Sequence, residues 1–256
     1  MRLFDTHCHL DIEDFDHDRD QVIADALSNG VTYVLIPAIA KSNFSAVQTL
    51  CRTHAGFYPA LGLHPVFIDQ HHDEHLDHLS NAITQERPTA IGEIGLDFAI
   101  KTLDKTRQIS FFNAQLDIAA EHQLPVILHA RKSHDEILKH LKAQNLTGGI
   151  CHAFNGDINQ AHRYIDLGFK LGFGGMLTYE RSTKLRALAK ALPNEAIVLE
   201  TDAPDLTGAE HQYSRNSPAY LPEVAKSLAE IKGVSVEEIA ALTTANAMQV
   251  LSLTAD

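Results

Sequence analysis

Six residues of this chain, His7, His9, Glu93, His129, His152 and Asp202, are of the types that bind divalent ions, and each closes a short apolar run. His7 and His9 are two apart, so in an extended segment both imidazoles face one side and can grip one ion. The same period sets Arg131 beside His129 and Glu200 beside Asp202, and puts Cys8 and Cys151 on the opposite parity, where they read as small buried hydrophobes. Taken singly, each residue has a plainer reading. A histidine at a strand end is ordinarily hydrogen-bonded structure, a carboxylate there is ordinarily a helix cap, and an HxH pair arises by chance in a chain with 16 histidines. Six such residues closing apolar runs need a common cause, and a shared metal site supplies one.

The elements that must bring them together show as alternation. Short apolar runs at 2–7, 33–38, 57–61, 89–94, 126–129, 149–152, 170–173 and 196–201 have the near-continuous Val/Ile/Leu/Ala character of parallel strands buried on both faces. Helical periods lie between them: Ile109, Phe112, Leu116 and Ala119 form one stripe, and Leu221, Val224, Leu228 and Ile231 another. Ser133-x-x-Glu136 and Ser235-x-x-Glu238 have the form of capping boxes. Eight strands with intervening helices predict an α/β fold, a (β/α)8 TIM barrel forming a single domain over 1–256. An open doubly wound sheet is the alternative, because periodicity does not report closure. In a barrel every C-terminal strand end faces one rim, so the six candidate ligands converge however far apart they lie in sequence.

Composition narrows the rest. The chain has 256 residues, 45% hydrophobic and 21% charged, enough apolar material for a large core. Its start carries no basic segment followed by an apolar one, and no stretch reaches membrane-spanning length, so neither a secretory signal nor a membrane is expected. Three cysteines, Cys8, Cys51 and Cys151, fit a reducing compartment, and the expected location is cytoplasmic. A net charge of −12 argues against broad affinity for nucleic acid, although bound cations can reverse the field at one site. There is no GxSxG elbow, P-loop or GxGxxG, which leaves serine hydrolases, NTPases and dinucleotide enzymes unsupported. Intact candidate ligands also argue against a non-catalytic binding protein, and no obligate protein partner is evident.

DTHCHLD at 5–11, GLHP at 62–65, GEIGLD at 92–97, PVILHAR at 125–131, CHAF at 151–154 and ETDAP at 200–204 resemble the TatD family of metal-dependent deoxyribonucleases, within the wider amidohydrolase-like superfamily. The resemblance runs from Asp5 to about Asn246, with the motifs in the family's order. It implies two divalent ions per subunit, one held by His7, His9 and Asp202, the other by His129 and His152, with Glu93 bridging both. It departs from the family's pattern at Asn155, where Ser or Thr is common, and after GLD, where an aromatic pair is missing; both bear on substrate preference.

Two cations about 3.5–4 Å apart can share a bridging hydroxide and clamp attacking and leaving oxygens. Asp202 is the candidate to orient the attacking water and take its proton, with Glu93 the second catalytic carboxylate. The mixed N/O donor set suits Zn, Mn, Ni or Fe, and less naturally Mg. Around it, His64 is placed to touch substrate or to shape a turn. Arg131 is placed to clamp a phosphate or to pair with a carboxylate such as Glu200. Glu200 reads as an orienting residue behind the ligands, and Asp97 as either that or a helix cap. Asn216 reads as a contact near the cavity or a turn residue.

His71, His72, His75 and His78 read as a surface cluster, and Arg181, Lys184, Arg186 and Lys190 as a solvated helix face or a phosphate-steering rim. The resemblance implies a 3'-5' exonuclease-like deoxyribonuclease acting on single-stranded DNA or strand ends, since a narrow barrel mouth does not admit a duplex laid flat. The same metals would equally serve an amide, ester or lactone hydrolase of a small molecule, or of an ester-linked group on RNA.

Overall fold

The computed structural model describes residues 1–254; the last two positions of the expected domain 1–256 lie outside the described residues. Eight parallel strands form one sheet in sequence order: β1 (Leu3–Asp5), β2 (Val31–Pro37), β3 (Phe57–Leu61), β4 (Ala90–Asp97), β5 (Val126–Arg131), β6 (Gly149–Cys151), β7 (Phe169–Phe173) and β8 (Ile197–Leu199). The barrel closes through residues just beyond the first and last strands. Thr6 N–H donates to Leu199 O (3.0 Å) and Asp202 N–H to His7 O (2.8 Å). The expected TIM barrel is therefore the fold, and the open sheet is excluded.

Around the sheet run α1 (Arg19–Ser28), α2 (Phe44–Thr53), α3 (Glu74–Gln85), α4 (Lys105–His122), α5 (His134–Leu141), α6 (Ile158–Asp166), α7 (Thr183–Ala191), α8 (Leu221–Lys232) and α9 (Val236–Val250). None among the described residues is long and apolar enough to cross a membrane. The stripes read from the sequence are the buried faces of α4 and α8. Ser235 accepts Glu238 N–H as expected of a cap, but Ser133 does not cap α5. Its hydroxyl donates instead to Leu96 O (2.6 Å) and ties α5 to β4.

Strand parity sorts the core in two. Leu3, Val34, Ile36, Leu61, Ile91, Ile94, Leu128, Cys151, Leu171 and Leu199 pack outward against the helices. Phe4, Leu35, Ala60, Ala90, Ile127, Ile150 and Val198 fill the barrel interior, and Met248 and Leu251, at the end of α9, pack against them. Two residues beyond Ile127, Ile150 and Val198 come His129, His152 and Glu200, which parity therefore turns into the barrel mouth.

β4 departs from the rule. It runs on to Asp97, so Glu93 lies within the strand and not at its end, as the apolar run suggested. The β4–β5 register shifts between Ile91 and Ile94, both of which face outward although three apart. That extra residue is what lets Glu93 face inward. Gly95 beside it has φ +146, and a Cβ there would stand 2.0 Å from His129 O, so only glycine allows β4 and β5 to approach so closely.

At the seam, Asp5 staples the first strand to the last. Its fully buried carboxyl accepts from Thr201 N–H (2.9 Å), Thr201 Oγ1–H (2.5 Å) and His7 N–H (3.2 Å). Burial pushes it up to about 8, with those hydrogen bonds opposing. Higher on the rim, Arg215 pairs with both carboxylate oxygens of Asp18 (2.6 and 2.9 Å) and lies over the Phe15 ring, clamping the loop after β8 to the segment after β1.

Thr201→Val keeps the shape and removes the hydroxyl, leaving buried Asp5 short of a donor. The expected cost is about 1–3 kcal/mol, read as a lower denaturant midpoint with unchanged slope. An unchanged midpoint would show that the seam does not depend on this staple.

Candidate metal centre

The six candidate ligands meet at the barrel mouth around Glu93. Its Oε2 lies 3.1 Å from His7 Nε2 and 3.6 Å from His9 Nε2. Its Oε1 lies 3.0 Å from His129 Nδ1, 3.2 Å from His152 Nε2 and 3.2 Å from His64 Nε2. Asp202 Oδ1 completes the first side, 3.5 Å from His7 Nε2 and 3.7 Å from His9 Nε2. One carboxylate oxygen thus faces each set of imidazoles. Three groups have ligand atoms close enough to share an ion: His7, His9 and Asp202; His7, Glu93 and His152; and His64, Glu93 and His129.

Tautomers distinguish ligands from donors. His9 Nδ1 faces Pro37 O (3.2 Å), which can only accept, so the ring's proton sits there and Nε2 offers its lone pair inward. His129 Nε2 faces Asp97 Oδ2 (3.2 Å), which leaves the Nδ1 lone pair directed at the centre. His152 Nδ1 lies 3.5 Å from Glu200 Oε1, too loosely placed for a good hydrogen bond, but it sets the same preference. His64 is reversed. Its Nδ1 accepts Val66 N–H (3.1 Å), and burial lowers its pKa to about 4, so the neutral ring carries its proton on Nε2 and points an N–H inward. His64 therefore suits a hydrogen-bond donor and not a ligand, although it stands among the imidazoles.

The electrostatics fit cations as well. Burial opposes ionisation of Glu93, but the imidazoles of His64, His7 and His152 hold it well below the usual carboxylate range. His7 is pushed down by burial, with His152 adding to the effect; its ring lies stacked on that of His152 at 3.8 Å between centroids. His152 is driven up by Glu93 and Asp202 against the effect of burial. Without an ion, the charge of the carboxylates is met by a proton on His152; divalent ions, whose ligands must be unprotonated, would take that proton's place. His7 Nδ1 is buried without a partner.

The supporting residues divide clearly. Asp97 accepts from Ala99 and Ile100 N–H as well as facing His129, so it both shapes the turn after β4 and orients the His129 ring. It does not cap α4, whose N-cap is Asp104. Glu200 Oε1 accepts Ala153 N–H (2.5 Å) behind His152. Arg131 is 60% exposed at the mouth, and its nearest carboxylate is Asp97 (3.7 Å), not Glu200. Asn216 is buried with its amide fully committed: Nδ2 donates to Thr201 O and Asp205 O, and Oδ1 accepts Ser217 N–H. It fastens the loop after β8 and has no donor left for a substrate.

His71, read as part of a surface cluster, is buried, and its ring bonds His64 O (2.9 Å), so it backs His64 from below. Asp5 and Thr201 escaped the sequence reading. The available signal was the Asp two residues before His7, on the parity of the ligands.

Compared with known proteins, residues 4–252 match the family described as TatD related DNase. Over 243 residues the chain is 38% identical to the uncharacterized metal-dependent hydrolase YjjV of Escherichia coli K12, covering 93% of each. The crystal structure of YjjV, a TatD homologue from the same bacterium, matches with a TM-score of 0.95 at 36% identity, with 99% of each chain covered. The 3'-5' ssDNA/RNA exonuclease TatD of Klebsiella pneumoniae is 32% identical over 251 residues, 95% of each.

Removing the carboxylate behind His129 by Asp97→Ala should lower divalent-metal affinity by about 10–100-fold, measured by chelator competition; unchanged affinity would show that Asp97 orients no ligand. A pH effect follows from the same residue. Burial works to raise Asp97, but the bonds from His129, Ala99 and Ile100 outweigh it and hold the carboxyl at about 2, below its ordinary 3.8. A depressed value means stability that is present above pH about 4 and lost as pH falls toward 2. In chelator-treated protein, Asp97→Asn should flatten the acid limb of the stability–pH profile over that window.

Proposed function

This chain belongs to the TatD-related DNase family and is a metal-dependent hydrolase, and on that premise we propose that it is a phosphodiesterase shortening single-stranded DNA, or strand ends, in the 3'-5' direction. The observation that carries the metal-dependent chemistry is Glu93, with one oxygen toward His7 and His9 and the other toward His129 and His152. A phosphodiester as the bond draws support from the family description and the Klebsiella relative's name. In this reading His7, His9 and Asp202 hold one divalent ion, His129 and His152 a second, and Glu93 both. Two such ions would polarise a phosphoryl oxygen and lower the pKa of an attacking water.

The chain's own residues do the rest. Asp202 is 15% exposed where Glu93 is 2%, so its carboxylate is the one an attacking water can reach and lose a proton to. Glu93 holds the two ligand sets in register. His64, whose Nε2–H faces Glu93 Oε1 (3.2 Å), would offer that donor to a substrate oxygen entering the centre, and His71 holds the backbone carbonyl of His64. Arg131, charged and exposed at the mouth, meets a phosphate with its guanidinium fork. The direction of cleavage draws support from the Klebsiella relative, whose name states it.

The test is a time course on end-labelled single-stranded and duplex DNA with Mn or Mg. Stepwise shortening should be stopped by EDTA and restored by added metal, and Asp202→Asn should lose about 10²–10⁴-fold in rate. Equal cleavage by wild type and Asp202→Asn would overturn the assignment of this site. No cleavage by either would transfer the chemistry to a carbonyl ester, amide or lactone.

A further inference from the structure

On one side the metal basket opens into a cavity of about 220 Å³, with Glu200 and Asp202 at its inner end and Phe154, Phe173, Met176 and Leu206 around it. It exists because β7 continues as Gly174–Gly175. A Cβ on Gly175 would stand 2.3 Å from Leu206 O, so glycine alone lets the loops after β7 and β8 come together and roof the space. Two hydrogen-bonding side chains at its edge are already engaged, while Glu200 Oε2 at the inner end is buried without a partner. Asn155 holds Ala153 O and the His134 ring, and Thr201 holds Asp5 and Ala203 N–H.

The cavity continues outward. Asn155, Met176 and Leu185 also line an open groove of about 960 Å³ beside α7; Ile158, Arg181 and Lys184 lie on the walls of this groove, with Asp157 its acidic group. Of the large hydrophobic side chains exposed among the described residues, Ile158, Met176 and Leu206 all lie along this path, at 36%, 40% and 40% exposure. Arg181 stacks over the Tyr179 ring (4.6 Å), which holds its guanidinium at the groove's edge.

The cavity is smaller than the roughly 300–1,000 Å³ of pockets that bury a whole small-molecule ligand, so it suits one ring system attached to something larger. It is apolar where the ring would lie and adjoins the reacting centre at one end. Beyond its outer end stand two cations, as the backbone phosphates of a nucleic acid strand require.

Resting on the nuclease reading above, we propose that this cavity seats one nucleobase beside the scissile phosphodiester, by apolar contact and stacking. The groove along α7 then carries the adjoining phosphates on Arg181 and Lys184. Every base has a π-face, so apolar walls select for the presence of a base before its kind.

The experiment compares metal-loaded wild type, Met176→Trp and Arg181→Ala/Lys184→Ala on two single-stranded oligonucleotides, one ordinary and one with abasic sugars at both terminal positions of each end. Wild type should cleave the abasic strand about 5- to 150-fold more slowly, the equivalent of one lost base contact. Met176→Trp, which fills the cavity, should bring the ordinary strand down toward that rate with metal content unchanged. Arg181→Ala/Lys184→Ala should make the dependence of log KM on log salt shallower by about 1.4, two single-strand phosphate contacts.

Equal rates on both strands by wild type would overturn the nucleobase cavity while leaving the nuclease reading intact, and this arm needs no variant to fold. An unchanged salt slope would overturn the groove. Cleavage of neither strand by wild type would remove the nuclease reading and this inference with it.

Discussion

A single buried carboxylate facing imidazoles from four other segments is the constraint around which the rest is arranged. Glu93 is nearly inaccessible to water, and within 3.6 Å of its oxygens stand ring nitrogens of His7, His9, His64, His129 and His152. An ionised carboxyl at that depth is costly unless positive charge lies against it. Among the described residues no lysine or arginine lies within ion-pairing distance of Glu93; Arg131 stays out at the rim beside Asp97. A mouth built so is acidic and rich in lone pairs, and divalent cations are the charge that suits it. The irregularity in β4, the glycine that lets β5 approach it, and the acceptors that turn the His9 and His129 rings all serve to hold that one group in place.

Those outer contacts do structural work too. Pro37 O sets His9, Asp97 sets His129, and Glu200 backs His152 while holding the backbone after it. Asp5 and Thr201 join the strands that carry His7 and Asp202. Stability and chemistry therefore share residues at this end of the barrel, where the other end, filled by Phe4, Ile127, Ile150 and Met248 with Tyr33 at its edge, holds no such cluster of charges.

Much of this was legible from residue order, and the reason is that the C-terminal strand ends of a barrel share one rim. Short apolar runs mark those ends, so His129, His152 and Asp202 could be assigned to one cavity without knowing any distance. The rule failed where the backbone breaks it. Glu93 lies within β4 and not at its end, because an inserted residue reverses the inward face there. Contacts between distant segments were also beyond reach. Nothing local distinguishes Asn216 as a loop fastener from a substrate contact, pairs Arg131 with Asp97 over Glu200, or buries His71 while leaving His72 and His78 outside. The apolar cavity left no trace in any motif, because it is made by the approach of two loops and not by the residues of either.

The seam of the barrel also imposes an order in time. Thr6 and Leu199, hydrogen-bonded across it, are 193 residues apart in the chain. At about 5–20 residues per second of synthesis, the first strand waits roughly 10–40 s for its neighbour to leave the ribosome. Throughout that interval His7 and His9 exist without Asp202, and β1 presents an unpaired edge. The centre is thus incomplete until the eighth strand and Asp202 have been made, and a filled site certifies that the barrel's first and last strands have met.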